Sequence, residues 1–154
     1  IFVTIELIYK ENIVMSTRSA IVEKTETGEF RGIYCHGNGY LSHNGRILLE
    51  HYKNPSKVSD LISLGDIATL GNRVSPSINE KHSYDSPVED ITVAYLRDMR
   101  EDKDEVSATV GSTLEEVLSC IDYSYAYVFI HNDWYLYDYE RKLIKLSEVA
   151  LENE

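Results

Sequence analysis

The sequence predicts a single α+β domain, an antiparallel sheet of about five or six strands carrying three or four helices. Three observations support this. Short apolar runs bounded by turn residues recur along the chain, as strands require. Between them lie segments whose apolar residues fall at helical spacing. The 154 residues contain no internal repeat and no linker, a length that suits one compact domain.

The first methionine is Met15, and Lys10-Glu11-Asn12 back-translates to a purine-rich stretch like a ribosome-binding sequence. Residues 1–14 are therefore expected to be translated leader, with residues 15–154 forming the domain. An extra N-terminal strand is the alternative, since Phe2, Ile5, Leu7 and Ile8 are apolar. A secretory signal fits poorly, because Glu6 interrupts the apolar run and no basic segment precedes it.

Ala20 to Lys24 and Phe30 to His36 read as a hairpin about a turn at Thr25–Glu29. Gly37-Asn38-Gly39 breaks the chain. A helix follows from Ser42 or Asn44 to Tyr52, with Ile47, Leu48, His51 and Tyr52 on one face. Asn54-Pro55 ends it and opens a second helix through Leu64, with Gly65 as its cap. Residues 66–90, rich in Ser, Asn, Gly and Pro, read mainly as loop. Ile91 to Arg97 reads as a strand and Asp98 to Glu105 as a solvated turn. Ser112 or Thr113 with Glu115 or Glu116 forms a capping box for a helix through Cys120. Tyr123–His131 and Trp134–Tyr139 alternate about Asn132-Asp133 as a tight hairpin, and Ser147-Glu148-Val149 opens a last short helix.

The net charge is -11. Such a surface disfavours non-specific binding to nucleic acid or anionic membrane, so neither is expected as a partner. The charge is uneven: residues 15–82 net +1, whereas residues 83–154 net -11. The two halves are expected to offer different surfaces if the fold separates them. Two cysteines cannot build a disulfide framework, which points to a reducing cytoplasm. No run reaches the ~20 apolar residues of a membrane span, and no motif calls for a cofactor.

Cys35 and His36 are neighbours on a predicted strand and point to opposite faces, so they make no nucleophile–base pair. His36, His43, His51 and Cys35 lack metal-ligand spacing, and no metal or catalytic residue is assigned. A polar ligand site is the sharper reading of this region. Gly37-Asn38-Gly39 before a helix has the location of an anion-binding loop, and Arg18, Arg31, Tyr34, His36, Tyr40, His43 and Arg46 fall within thirty residues. Arginine forks a phosphate and tyrosine stacks a base. Against this stands the plainer reading of a turn, a core tyrosine and solvated arginines. Six of the twelve tyrosines lie in the last hairpin. They suit sheet packing, and beside carboxylates they also suit an interface.

Met15-Ser16-Thr17-Arg18-Ser19, Ile33-Tyr34-Cys35-His36-Gly37-Asn38-Gly39-Tyr40, His43-Asn44-Gly45-Arg46, Leu64-Gly65-Asp66 and His82-Ser83-Tyr84-Asp85-Ser86-Pro87 follow one another in order. Over residues 15–139 this set resembles a family of small uncharacterised bacteriophage and prophage proteins with an N-terminal Ser-Thr-Arg-Ser stretch and a Tyr-Cys-His-Trp-Asp-Gly-Tyr box. Here Gly37-Asn38 replace the Trp-Asp, so a stacking role for that Trp does not carry over. The family has no settled activity to transfer. The resemblance implies a context, action on a bacterial host.

The expected function is a non-enzymatic counter-defence protein that sequesters a nucleotide immune signal. Arg18, Arg46 and Arg73 would hold phosphate, and Tyr34, His36 and Tyr40, with Asn38 and His43, the base or ribose. The alternative is an acidic inhibitor, including a DNA mimic, of a host defence protein or CRISPR effector, using Asp98, Asp102, Asp104, Tyr135 and Tyr137. A hydrolase or transferase centred on His36 is the enzymatic alternative. Self-association as a homo-oligomer is compatible with each.

Overall fold

The structure, a computed structural model, describes residues 17–149 and Leu151. The expected leader or extra strand over residues 1–14 lies outside the described residues. In chain order the elements are β1 (Ser19–Lys24), β2 (Phe30–Cys35), a π-helical turn (Leu41–Gly45) running into α1 (Arg46–His51), and α2 (Pro55–Ser63). Next come β3 (Ile67–Thr69), β4 (Val93–Ala94), α3 (Tyr95–Met99), α4 (Lys103–Val106), β5 (Thr109–Gly111) and α5 (Leu114–Leu118). The chain closes with β6 (Tyr125–Ile130), β7 (Asp133–Tyr137), β8 (Leu143–Lys145) and a 3₁₀ turn (Leu146–Glu148).

The described strands form one eight-stranded sheet in the order β4-β3-β2-β1-β6-β7-β8, with β5 beside β2. The predicted hairpins are present: β1–β2 runs in register from Ser19–Cys35 to Lys24–Phe30, and β6–β7 from Ala126–Tyr137 to Ile130–Asp133. The second closes through His131 and Asn132, both at positive φ, one residue earlier than the sequence predicts. Two turn residues at positive φ match the right-handed twist of the flanking strands.

Three expectations are corrected. The sheet is mixed, not antiparallel, because β1 pairs in parallel with β6 and β2 with β3. It has more strands than predicted, because β3, β5 and β8 each have three residues and exist only as partners of longer strands. The span predicted as a strand to Arg97 ends at Ala94 and turns into α3, while much of the predicted turn at 98–105 is the end of α3 and the start of α4.

Strand alternation divides the core between two faces. On one, Ile21, Ile33, Cys35 and Tyr127 pack against Leu48 and Tyr52 of the α1 region and Val58, Leu61 and Ile62 of α2. On the other, Ala20, Val22, Ala126 and Val128 pack beneath Leu114, Val117 and Leu118 of α5. The near-neutral first half supplies the contiguous strands β3-β2-β1, and the acidic second half supplies β6-β7-β8 beside β1, β4 beside β3 and β5 beside β2. The two halves therefore share one sheet.

Candidate functional site

At one end of the sheet β1 and β6 begin, β2 ends and β3 begins, with Ser19 opposite both Cys35 and Tyr125, and Cys35 opposite Ile67. Backbone bonds lock this corner. The Arg18 carbonyl accepts from Ser124 N–H at 2.9 Å, His36 N–H donates to Ile67 O at 3.1 Å, and Gly37 N–H donates to Ala68 O at 3.0 Å.

Tyr34 and His36 share the α5 face by alternation, where Tyr34 packs against the core cluster and both side chains are half-buried. The Tyr34 hydroxyl meets His36 Nδ1 at 2.7 Å, with the rings tilted and centroids 6.0 Å apart. Burial raises the Tyr34 hydroxyl above its usual range, and the nearby Arg18 charge opposes that rise. The Arg18 side chain is 43% exposed and donates through Nη1 to Asp122 at 2.7 Å. Its Nε is enclosed without a hydrogen-bond acceptor among the described residues. Such an orphan donor costs about 1–3 kcal/mol, and functional sites are where such local violations are expected.

The far side of this corner is built by Asp66. Gly65 sits at φ +80, and a Cβ there would lie 2.3 Å from Val106 O, so only glycine lets the chain leave α2 at this point. Asp66 N–H then donates to Val106 O at 2.7 Å, its carbonyl accepts from Tyr95 N–H at 3.2 Å, and Oδ1 accepts from Tyr34 N–H at 2.9 Å. Burial pushes its carboxyl up to about 6, against the Tyr34 N–H bond that lowers it. Tyr95 is raised to about 12, first by burial and then by the neighbouring Tyr34, Tyr84, Cys35 and Asp66. Three phenols, an imidazole, a guanidinium and two carboxylates, Asp66 and Asp122, thus share one corner. It can hold an anion, stack a flat ring and accept from its donors.

The sequence-predicted ligand set divides into four places. Arg18, Tyr34 and His36 come together. Asn38, Tyr40 and His43 form a neighbouring group: the Tyr40 hydroxyl donates to Asn38 Oδ1 at 3.5 Å and packs edge-on to His43, whose Nδ1 lies 2.8 Å from Asn44 Oδ1. Gly39 N–H donates to Thr17 O at 2.8 Å, which ties that group to the start of β1. Arg46 is instead held by the Leu151 carbonyl and Glu50. Arg73 is forked onto Glu80 at 2.7 and 2.9 Å inside the 70–91 loop. Neither joins the corner.

Cys35 is fully buried between Asn44 Nδ2 and Gly37 O, and burial raises its thiol to about 11. Among the described residues no group of three His, Cys, Asp or Glu side chains is arranged to hold a metal ion. No described helix is long and apolar enough to cross a membrane.

Of the expected partner-binding residues, Asp102 and Asp104 are exposed at the start of α4, where Asp102 caps the helix through Asp104 N–H. Tyr135 and Tyr137 are half-buried, paired with Val128 and Ala126 on the α5 side. Asp98 points inward: its carboxylate is 4% exposed and binds Arg97, Ala94 N–H and His82, so it presents nothing to a partner.

Asp66, Tyr95, Tyr84 and Asp122 belong to the corner but were not among the predicted site residues. Leu64-Gly65-Asp66 carried the one available signal, a helix-capping glycine followed at once by an acid. Two open concavities lie elsewhere. A groove of about 1110 Å³ runs between the β1–β2 turn, α2 and the β6–β7 turn, and one of about 540 Å³ is lined by Lys57, Asp60 and Arg73. In the larger, Glu23 and Arg31 are already paired at 2.6 Å, and Arg31 also reaches Ser59 and Ser63. In the smaller, Lys57 donates to His51 O and Asn72 O, and Glu80 occupies Arg73. Arg31, Lys57 and Arg73 are thus engaged by internal partners, whereas Lys24 on the larger groove is exposed, its Nζ 5.8 Å from the Phe30 ring. Arg18 differs from these in having a single ion pair among the described residues, to the exposed Asp122, and in standing near the Tyr34–His36 contact.

Comparison with protein families, with curated proteins and with solved structures finds no match to this chain.

Proposed function

We propose that this chain binds and sequesters a small anionic nucleotide at the Arg18–Tyr34–His36 corner and releases it unchanged. One observation carries the reading: a half-exposed arginine stands beside a phenol–imidazole pair, held by the backbone of three strands. The only ion pair of Arg18 among the described residues is with Asp122, itself 73% exposed. A surface pair of that kind contributes about 0–1 kcal/mol, so a phosphate that accepts a bidentate, charge-assisted fork can displace it. Tyr34 and Tyr95 supply faces for a base, and His36 a ring nitrogen for ribose or phosphate. Given the resemblance to phage proteins, the nucleotide is read as an immune signal of a bacterial host.

A second reading rests on the exposed acids Asp102 and Asp104, which suit an inhibitor of a basic partner protein. Charge reversal at both would weaken a salt-sensitive pull-down from host lysate. An enzyme would use the 2.7 Å Tyr34–His36 contact as its acid–base pair.

The test is a thermal-shift panel of cyclic mono- and dinucleotides, followed by heat release and chromatography of the ligand. At a hundredfold excess over Kd, binding stabilises by about 2.7 kcal/mol, or roughly 5–10 °C at this size. The shift should vanish in Arg18→Ala, and the nucleotide should return intact. No shift with any member overturns the proposal. A chemically changed nucleotide, with turnover lost in His36→Ala, replaces it with the enzymatic reading.

A further inference from the structure

We infer that the corner selects guanine among bases, and that Asp66 is the residue that reads it. The inference rests on the nucleotide reading above and adds the base. The Asp66 backbone is pinned on both sides, by Val106 O and Tyr95 N–H, and its Oδ1 already takes the Tyr34 N–H. Its Oδ2 accepts no hydrogen bond among the described residues and is not enclosed. The carboxylate is therefore a fixed acceptor beside Tyr34 and Tyr95, the rings on which a base would stack.

An ionised carboxylate can only accept, so it discriminates by the donors a base presents. The Watson–Crick edge of guanine offers two adjacent donors, N1–H and the 2-amino group, to which two carboxylate oxygens are complementary. Adenine places a bare N1 acceptor at the same point, against the carboxylate. Uracil offers a single N–H flanked by two carbonyls, and cytosine an amino group next to an acceptor. Hypoxanthine keeps N1–H and lacks the 2-amino group, which makes it the intermediate case. A site built to pair with donors rejects the analogue that lacks them, because the base covers the acceptor and leaves it without a partner. Burial raises the Asp66 carboxyl to about 6, so it is ionised near neutrality and becomes neutral below. Guanine preference should therefore fade as the pH falls through 6.

The experiment is calorimetric titration of the full chain at pH 7.5 with cyclic GMP, cyclic IMP and cyclic AMP, repeated on Asp66→Asn. The expected order is cyclic GMP, then cyclic IMP, then cyclic AMP, with about 10- to 100-fold between the ends. In Asp66→Asn that span should collapse to within roughly threefold, while the residual affinity still depends on Arg18. Equal binding of all three by the parent chain overturns the guanine inference and leaves the nucleotide reading standing. A preference that survives Asp66→Asn overturns the role of Asp66. Absence of binding by all three overturns the guanine inference, whereas the nucleotide reading falls only if the wider cyclic nucleotide panel also fails.

Discussion

Replacing Asp98 by Asn changes one atom of a carboxylate that gathers four donors. Oδ1 accepts from Arg97 Nε at 2.8 Å. Oδ2 accepts from Arg97 Nη2 at 2.9 Å, Ala94 N–H at 2.8 Å and His82 Nε2 at 3.1 Å. His82 is itself fully enclosed, and its Nδ1 accepts from Val88 N–H at 3.0 Å, so the ring proton lies on Nε2 and points at Asp98. This chain of bonds ties the 83–88 loop, which carries Tyr84, to the start of α3. In the less costly rotamer the Asn oxygen keeps the three bonds of Oδ2, and its amide opposes Arg97 Nε–H. The loss is the charge, one charge-assisted bond of about 1.5–3 kcal/mol, and a donor facing a donor. Arg97 keeps the Val74 and Thr92 carbonyls and is 26% exposed, which moderates the cost. The total is roughly 2–4 kcal/mol, below the upper values for a broken buried pair, or about 5–15 °C in Tm. Urea unfolding measures it, and amide exchange at Val88 should accelerate in the same variant. Asp104→Asn, an exposed change that leaves the cap from Asp102 in place, should move stability by less than about 0.5 kcal/mol. If Asp98→Asn is equally silent, the hub does not hold the loop and the reasoning fails.

Other outcomes follow from the same geometry. Burial would raise the Asp98 carboxyl, but the Arg97 and Ala94 bonds outweigh it and hold it below the usual range. Its stabilisation is therefore present above the ordinary carboxylate range and lost as pH falls through its own lower value. Asp66 has the opposite sign: raised from 3.8 to about 6, it makes the folded state lose stability as pH rises between those values. Asp66→Asn should flatten that segment of the stability–pH curve and stabilise the protein at pH 7 by roughly 1–3 kcal/mol; an unchanged curve contradicts the burial argument. Gly32→Ala would put a Cβ 2.7 Å from Val117 and 2.9 Å from Val22, lifting α5 from the sheet at about 1–3 kcal/mol, read by urea midpoint. An aromatic-disulfide thiol assay on native protein should find one reactive cysteine, the exposed Cys120. Cys35 should react only after unfolding, and rapid native labelling of both would restore it as a nucleophile.

The hairpins were legible because their signals are local. Ala20-Ile21-Val22 and the alternation through Tyr125–Ile130 declare strands, and Asn54 caps α2 through Ser56 N–H at the predicted Asn-Pro junction. Strand pairing across long sequence distances was not legible. Nothing near Ser19 specifies Tyr125 as its parallel neighbour, although the unbroken apolar run Ala20-Ile21-Val22 is a trace of it, since β1 is buried on both faces as a strand flanked by helices on both sides requires. The three-residue strands β3, β5 and β8 have too few positions to show a period. The candidate site divides in the same way. Arg18, Tyr34 and His36 meet through one local hairpin, so spacing could find them. Asp66, Tyr95 and Asp122 arrive by crossovers that no single sequence displays. Arg46 and Arg73 looked free because their partners, the Leu151 carbonyl and Glu80, become neighbours only on folding.

The central claim is a location as much as an activity, and amide shift mapping tests both. Cyclic GMP and cyclic AMP are titrated separately into ¹⁵N-labelled protein. Saturable shifts should concentrate at Arg18, Tyr34, His36, Asp66, Tyr95 and Ser124, and be absent in Arg18→Ala. Shifts confined to Thr25–Gly28, Ser56–Ser63 and His131–Asn132, around the 1110 Å³ groove at the other end of the sheet, would contradict that location, and no shift with either nucleotide would contradict the claim for both of these ligands.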